Sequence, residues 1–550
     1  MQRAIRAALV AFALALFVPG IAFADGGVCP RPPVGSEVQR PPDLFSQNGV
    51  LKLSLNYFTS VDDAGRTLFC FVTAEGQESP TLHVNPGDKI EIHLTNQVPN
   101  TPLGMMVMQT NASTQCGAAT MTAASVNMHF HGLNTSPKCH SDEVVHTLVN
   151  SGETFDYTIK IPANEPPGLY WYHPHVHGIS SPAVQGGATG VIEVEGIANL
   201  QPAVAGLPER YLVIRDEQRV GDLHLKSHLK PIPNWDVSLN YVTVPFPNYP
   251  PPIIKMQRGT QEFWRVANTS ANTIIDLQVK YDGVPQDLQI VAFDGVPTGS
   301  QNGTRQGNIV TQKDILLPTA GRVEFIVTAP SSQVQSAVLE TESIDGGPAA
   351  DSNPTRPLAT IMTTDGPSGL PRTAERNGPP NVQRFEKLTD AKITARRHLF
   401  FIEIPSVTKR GGAGESKHEP VAEPVKFYIA VEGQQLHLFD PDNPPDITTT
   451  RGAVEEWTIE NRSPEVHEFH MHQIHFLVQE VNHKAIPLDQ QQFYDTFQVP
   501  FYDGKGHFPS IKVLMDFRGA VVGDFVYHCH ILDHEDGGMM AIIRVKPKKA

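Results

Sequence analysis

The chain has 550 residues, with 58 acidic against 43 basic side chains for a formal charge of −15, and it includes 47 prolines and 43 glycines. It is too long for a single hydrophobic core, and the usual domain size points to three or four. The acidic balance argues against nucleic acid or an anionic membrane surface as partner and leaves a cationic or neutral small molecule easier to approach.

The N-terminus reads as an export signal. Arg3 and Arg6 precede an apolar run from Ala7 to Val18, and Ala22-Phe23-Ala24 forms a small-x-small cleavage pattern before Asp25. Pro19 and Gly20 interrupt the run, which falls short of the roughly 20 residues a membrane span needs. Residues 1–24 are therefore set apart from the fold, and the mature chain is expected to be exported, periplasmic or secreted, with no membrane span. Loss of Arg3 and Arg6 makes the formal charge −17. Of the five cysteines, Cys529 lies between two histidines, leaving Cys29, Cys70, Cys116 and Cys139. An even number in an exported chain is compatible with two disulfides. Three pairings are open. Position favours Cys116 with Cys139, which bracket the first histidine motif, and then Cys29 with Cys70.

A ten-residue pattern recurs at Gly87 to Asn96, Gly259 to Asn268 and Gly452 to Asn461, the copies starting 172 and 193 residues apart. That spacing is the size of a domain. Within each copy apolar and polar residues roughly alternate after a turn glycine, as in a half-buried strand. Three related domains are expected at 25–198, 208–365 and 385–550. The stretches 199–207 and 366–384, the latter rich in Pro and Gly, read as linkers. Long helical periodicity is scarce, so antiparallel β-sandwiches are the natural reading. Val191 to Val194 and Ala541 to Val545 would be closing strands.

Four blocks concentrate the chemistry. Asn127 to Leu133 contains His129 and His131. Trp171 to Gly178 contains His173 and His175, with His177 beyond. His467 to His472 contains His467, His470 and His472. Tyr527 to Met539 contains His528, Cys529, His530, His534 and Met539. Side chains on a strand alternate faces, so each His-x-His pair points one way, and Cys529 points away from His528 and His530. One short segment could thus serve two metal centres. His534 and Met539 would complete a two-His, one-Cys site with a weak axial Met, a blue-copper ligand set. With His467 joined to that site, eight histidines remain as four His-x-His pairs, which suits a cluster of several coppers.

These motifs resemble the multicopper oxidases, and more particularly their three-domain, laccase-like members, whose four motifs occur here in the same order. The resemblance implies an all-β chain of three cupredoxin-like Greek-key sandwiches. It also implies four copper ions, one type 1, one type 2 and two type 3. His467, Cys529, His534 and Met539 would hold type 1; His129 and His470 would hold type 2; His131, His173, His175, His472, His528 and His530 would hold the type 3 pair. The middle domain has no His-x-His pair and would act as a spacer. Two departures stand out: Glu468 where the family usually has Pro, and Gln473 where Gly is common.

The implied reaction couples four one-electron oxidations of a small-molecule donor to reduction of dioxygen to water. Glu535 resembles the family's proton-donating acid, and Asp142 the acid on its water channel. His177 and His475 read as supporting or structural groups, and His83, His224 and His418 as ordinary histidines. Only 12 methionines are present, and Met105, Met106, Met108, Met121 and Met128 fit strand-core packing better than a thioether tract for cuprous ion. A phenolic or aromatic-amine donor is therefore expected, with periplasmic cuprous-ion oxidation as the alternative, and the unit is expected to be a monomer.

Overall fold

A computed structural model of the protein describes residues 27–99, 116–117, 120–220, 231–301, 307–367, 369–373, 384–405 and 425–548. The export signal, Met105, Met106, Met108, His224, His418 and residues 374–383 lie outside the described residues. Strands dominate, and the described α-helices are two short ones, Ser180–Gln185 and Leu532–Asp536.

Six sheets form three face-to-face pairs. The first sandwich closes a five-stranded sheet, edged by His129–His131, over a four-stranded one. Its core includes Leu55, Phe71, Ile90, Ile92, Met128 and Tyr172. The middle sandwich packs Leu212, Trp264, Leu277, Ile290 and Phe325, and the third packs Leu399, Trp457, Phe469, Ile511 and Tyr527.

The repeat occupies the same place in each sandwich. Lys89–Asn96, Gln261–Asn268 and Val454–Asn461 are all central strands. Each pairs in parallel with an earlier strand, Val50–Val61, Glu209–Gln218 or Ala395–Ile404. Each pairs antiparallel with a later one, Thr154–Lys160, Arg322–Thr328 or Ser510–Asp516. The sandwiches are therefore mixed. The expected β-sandwiches are present, but their pairing is antiparallel only in part, because a two-residue alternation is the same for either pairing direction.

The terminal asparagine explains the pattern's far end. Asn96, Asn268 and Asn461 are fully buried, and each side-chain amide donates to main-chain carbonyls of neighbouring loops. Each Oδ1 accepts the N–H two residues on. At the other end Gly87, Gly259 and Gly452 take φ of 93°, 70° and 100°, a region that favours glycine.

The middle copy does not show the expected half-buried alternation; its outer face is covered too. Ala267 packs with Leu169, Trp171 and Val191 of the first sandwich. Phe263 packs with Ile197, Ala198 and Val204. Residues 199–207 thus include a 3-10 turn, Pro202–Val204, seated on the middle core. Cys29–Cys70 and Cys116–Cys139 are disulfide-bonded, and Cys529 is free and buried.

Candidate metal centre

The four histidine blocks fold into two antiparallel strand pairs. His129–His131 lies against Gly168–His173, with His129 opposite His173. His467–Met471 lies against Gly523–Cys529, with His470 opposite His528 and Phe469 opposite Cys529. The edges of the first and third sandwiches meet there. The His129 and His472 rings stack at 3.8 Å, and the His131 and His470 rings at 4.0 Å. His175 Nε2 and His472 Nε2 lie 3.3 and 3.1 Å from His528 Nε2. His131, His173 and His530 form a second triad, with ring centres 5.0–5.9 Å apart.

The seam is held by the short helices that follow the motifs. Asp536 accepts the N–H groups of Gly178, Ser180 and Ser181 at 2.7, 3.2 and 2.8 Å. Ser181 Oγ also donates to Asp533.

All eight imidazoles are buried, and several have one nitrogen anchored and the other free. His129 Nδ1 donates to Asp142 Oδ1 at 3.0 Å, His173 Nδ1 to the Pro174 carbonyl at 2.8 Å, and His470 Nδ1 to the Asp495 carbonyl at 2.7 Å. His131 Nε2 donates to Asp495 Oδ1 at 3.0 Å. The opposite atoms, His129 Nε2, His131 Nδ1, His173 Nε2 and His470 Nε2, have no hydrogen-bond partner, nor does either nitrogen of His530. An outward anchor with a free inward nitrogen is the arrangement of metal-ligating histidine. Burial, and then the neighbouring imidazoles, hold His131, His173, His175, His470, His472 and His530 well below the ordinary histidine range. The rings are thus neutral, as ligands must be.

Next in the chain to His528 and His530, Cys529 Sγ lies 3.6 Å from Nδ1 of both His467 and His534, and those nitrogens are 3.1 Å apart. Burial alone would raise the thiol, but the two imidazoles outweigh it and bring it down to about 6. Met539 is buried beside this group, and its carbonyl accepts the Cys529 N–H at 3.1 Å. His467 is fully buried and His534 is 5 % exposed, so the outward imidazole edge belongs to His534. The outer nitrogens of both rings meet carboxylates, His534 Nε2 with Glu465 at 2.8 Å and His467 Nε2 with Glu403 at 3.2 Å. Phe427 stacks on His534 at 4.5 Å.

The two expected acids lie at the cluster. Asp142 accepts from His129, from the Phe130 N–H at 3.0 Å and from Gln473 Nε2 at 2.8 Å. Gln473 itself has φ of 66°, the left-handed conformation that makes Gly common at such a place. Glu535 is fully buried; Ser180 Oγ donates to its Oε1 at 3.2 Å, and its Oε2 lies 3.3 Å from His528 Nδ1. Burial, and then neighbouring Asp536, raise it well above the usual carboxylate range.

Sequence reasoning missed Asp495 and Arg322. Asp495 holds His131, and the buried Arg322 of the middle sandwich donates to both Asp495 oxygens. His475, read as a supporting group, donates to the Asp294 carbonyl at 2.7 Å and lies 3.5 Å from Asp495. Gly132 has φ of 86°, and a Cβ there would fall 2.5 Å from Arg322 and 2.6 Å from Asp495. The middle domain is thus more than a spacer. Met121 and Met128 are buried in apolar clusters of the first sandwich.

Two family models, both described as multicopper oxidase, match residues 105–198 and 418–549, the segments that carry the four blocks. The chain belongs to the multicopper oxidases. Like that family it is a copper-dependent oxidoreductase that takes electrons from a small molecule and passes them to dioxygen. It is 22 % identical over 474 residues to a multicopper oxidase of Staphylococcus haemolyticus, covering 85 % of this chain and 81 % of the relative. The multicopper oxidase of Campylobacter jejuni, titled a metallo-oxidase, superposes with a TM-score of 0.63 at 20 % identity, covering 94 % of this chain and 96 % of that one. A laccase-like enzyme of Ochrobactrum sp., with oxidase activity towards lignin model compounds, gives 0.61 at 18 % identity, covering 92 % and 100 %. These likenesses establish three cupredoxin-fold sandwiches.

Proposed function

We propose that the chain is an exported four-copper oxidase that draws single electrons from a cationic donor beside His534. His467, Cys529, His534 and Met539 would hold one copper. His129 and His470 would hold a second; His175, His472 and His528 a third; and His131, His173 and His530 a fourth. Copper in these sites supplies one-electron steps at the cysteine-bound position and the four electrons that, with four protons, convert dioxygen to two waters.

The residues around the metals do the rest. Cys529 is flanked in the chain by His528 and His530, so the donor site and the cluster are joined through adjacent residues. Glu535, whose proton affinity burial raises, stands with its Oε2 3.3 Å from His528 Nδ1 and would be the proton donor to the cluster. Asp142 fixes the His129 ring with its Nε2 inward. The two disulfides support export to an oxidising compartment, and a complete ligand set within one chain supports a monomer.

The donor reading rests on Glu403 and Glu465 at the outer nitrogens of the two type 1 imidazoles. Two carboxylates attract cations and are hard ligands, suiting a divalent ion such as ferrous iron better than soft cuprous ion or a neutral phenol. Phe427 on the His534 ring favours a second reading, the aromatic-amine donor. Steady-state oxygen uptake with ferrous ion and with a neutral phenol tests the choice. Glu403→Gln with Glu465→Gln should raise KM for ferrous ion at least about tenfold and leave the phenol rate within about twofold. Equal loss for both donors would refute the cation reading. Cys529→Ser should abolish both the blue colour and turnover.

A further inference from the structure

Glu468 is held from three directions. Its main-chain N–H donates to Cys529 Sγ at 3.4 Å, and its carbonyl accepts the His530 N–H at 2.8 Å. Its carboxylate accepts the N–H of Thr319, at 3.1 Å from Oε2, and the Thr319 hydroxyl. Thr319 belongs to the middle sandwich, and its Oγ1 also lies 2.6 Å from the His530 carbonyl. Glu468, Thr319 and Cys529 are all fully buried, so water does not compete for these bonds.

A donor aimed at a thiolate sulfur draws electron density from it. Hydrogen bonding around the cysteine sulfur tunes a blue-copper potential, and a sulfur that donates less to the oxidised ion favours the reduced one. Proline, usual at this place in the family, has no N–H to offer. We propose that Glu468 is a positioning residue: its N–H, anchored through Thr319, raises the reduction potential of the copper held by Cys529 above the value a proline there would give. This rests on reading His467, Cys529, His534 and Met539 as one copper site.

The test uses the full-length, copper-loaded protein. The blue centre is titrated against a one-electron mediator, and the sulfur-to-copper absorption band is recorded alongside. Glu468→Pro removes the N–H with the side chain. Replacing Glu468 by its α-hydroxy analogue, an ester in place of the amide, removes the N–H alone and guards against misfolding of the proline variant. Either change should move the equilibrium toward the oxidised ion by about tenfold, or about 59 mV for one electron, with a shifted band. Thr319→Val, which keeps the N–H but loosens its anchor, should move it in the same direction by less. An ester variant that stays blue with the potential and band of the unaltered protein overturns the proposal. Absence of a blue centre in the unaltered protein would overturn the copper assignment beneath it.

Discussion

Arg322, on a strand of the middle sandwich, donates through both terminal nitrogens to the carboxylate of Asp495 in the third, which in turn accepts from His131 of the first. All three groups are buried. One carboxylate therefore ties three sandwiches together at the edge of the metal cluster. Asp495→Asn should lower copper affinity about 10–100-fold, because the partner that orients a ligating imidazole is lost. Metal analysis after dialysis at graded free copper reads this directly. Arg322→Met should cost roughly 3–5 kcal/mol by leaving Asp495 buried and unpaired, measured by denaturant unfolding.

Glu535→Gln and Asp142→Asn separate proton handling from colour. Neither residue is placed at Cys529, so the blue absorption should be unchanged in both. Oxygen consumption at saturating donor should fall about 10²-fold or more in Glu535→Gln if its proton enters the slow step. Asp142→Asn should slow turnover as well and also weaken retention of the copper nearest His129, since the His129 ring loses its charged acceptor. Stopped-flow reoxidation of reduced protein by dioxygen would check the first, and copper content the second.

Asp536 stitches the helix Ser180–Gln185 of the first sandwich to the helix Leu532–Asp536 of the third through three amide hydrogen bonds. Asp536→Ala leaves those N–H groups without their acceptor. It should destabilise the protein by about 2–4 kcal/mol and broaden thermal unfolding as the first and third sandwiches lose their coupling, seen by calorimetry.

His83 carries a pH dependence of the fold. Its ring faces Asp43 at 2.9 Å and Glu193 and Glu195 at 3.3 and 3.2 Å, with Arg40 behind Asp43 and Arg265 behind Glu193. Burial lowers its proton affinity, but the three carboxylates outweigh this and raise it to about 11. The folded chain thus keeps a proton that the unfolded chain releases near 6.5. The stability His83 contributes is full below about pH 6.5 and is lost as pH rises toward about 11. Melting temperatures of the native protein and of His83→Gln should converge across that window as alkalinity increases.

The convergence of the four histidine blocks was legible because strand geometry forces a spacing of two on imidazoles that must share a face, and because Cys529 sits inside such a pair. The three-domain division was legible because Gly87, Gly259 and Gly452 each open the same strand and Asn96, Asn268 and Asn461 each close it. Parallel pairing was not, since alternation along a strand does not record which way its neighbour runs. Asp495, Arg322, Thr319, Glu403 and Glu465 carried no local signal. Each lies in an unremarkable segment and gains its role only where another sandwich or strand arrives. Glu468 and Gln473 were visible as departures from a family pattern, but the bonds that join them to Cys529, Thr319 and Asp142 were not.

Thr319 and Arg322 stand three positions from one another on a domain whose described residues contribute no histidine to either candidate centre, yet they touch the surroundings of both. A chain in which that domain were excised would expose the backs of Glu468 and Asp495 to solvent. The first and last modules alone are thus not enough for this sequence: its middle module is a keystone.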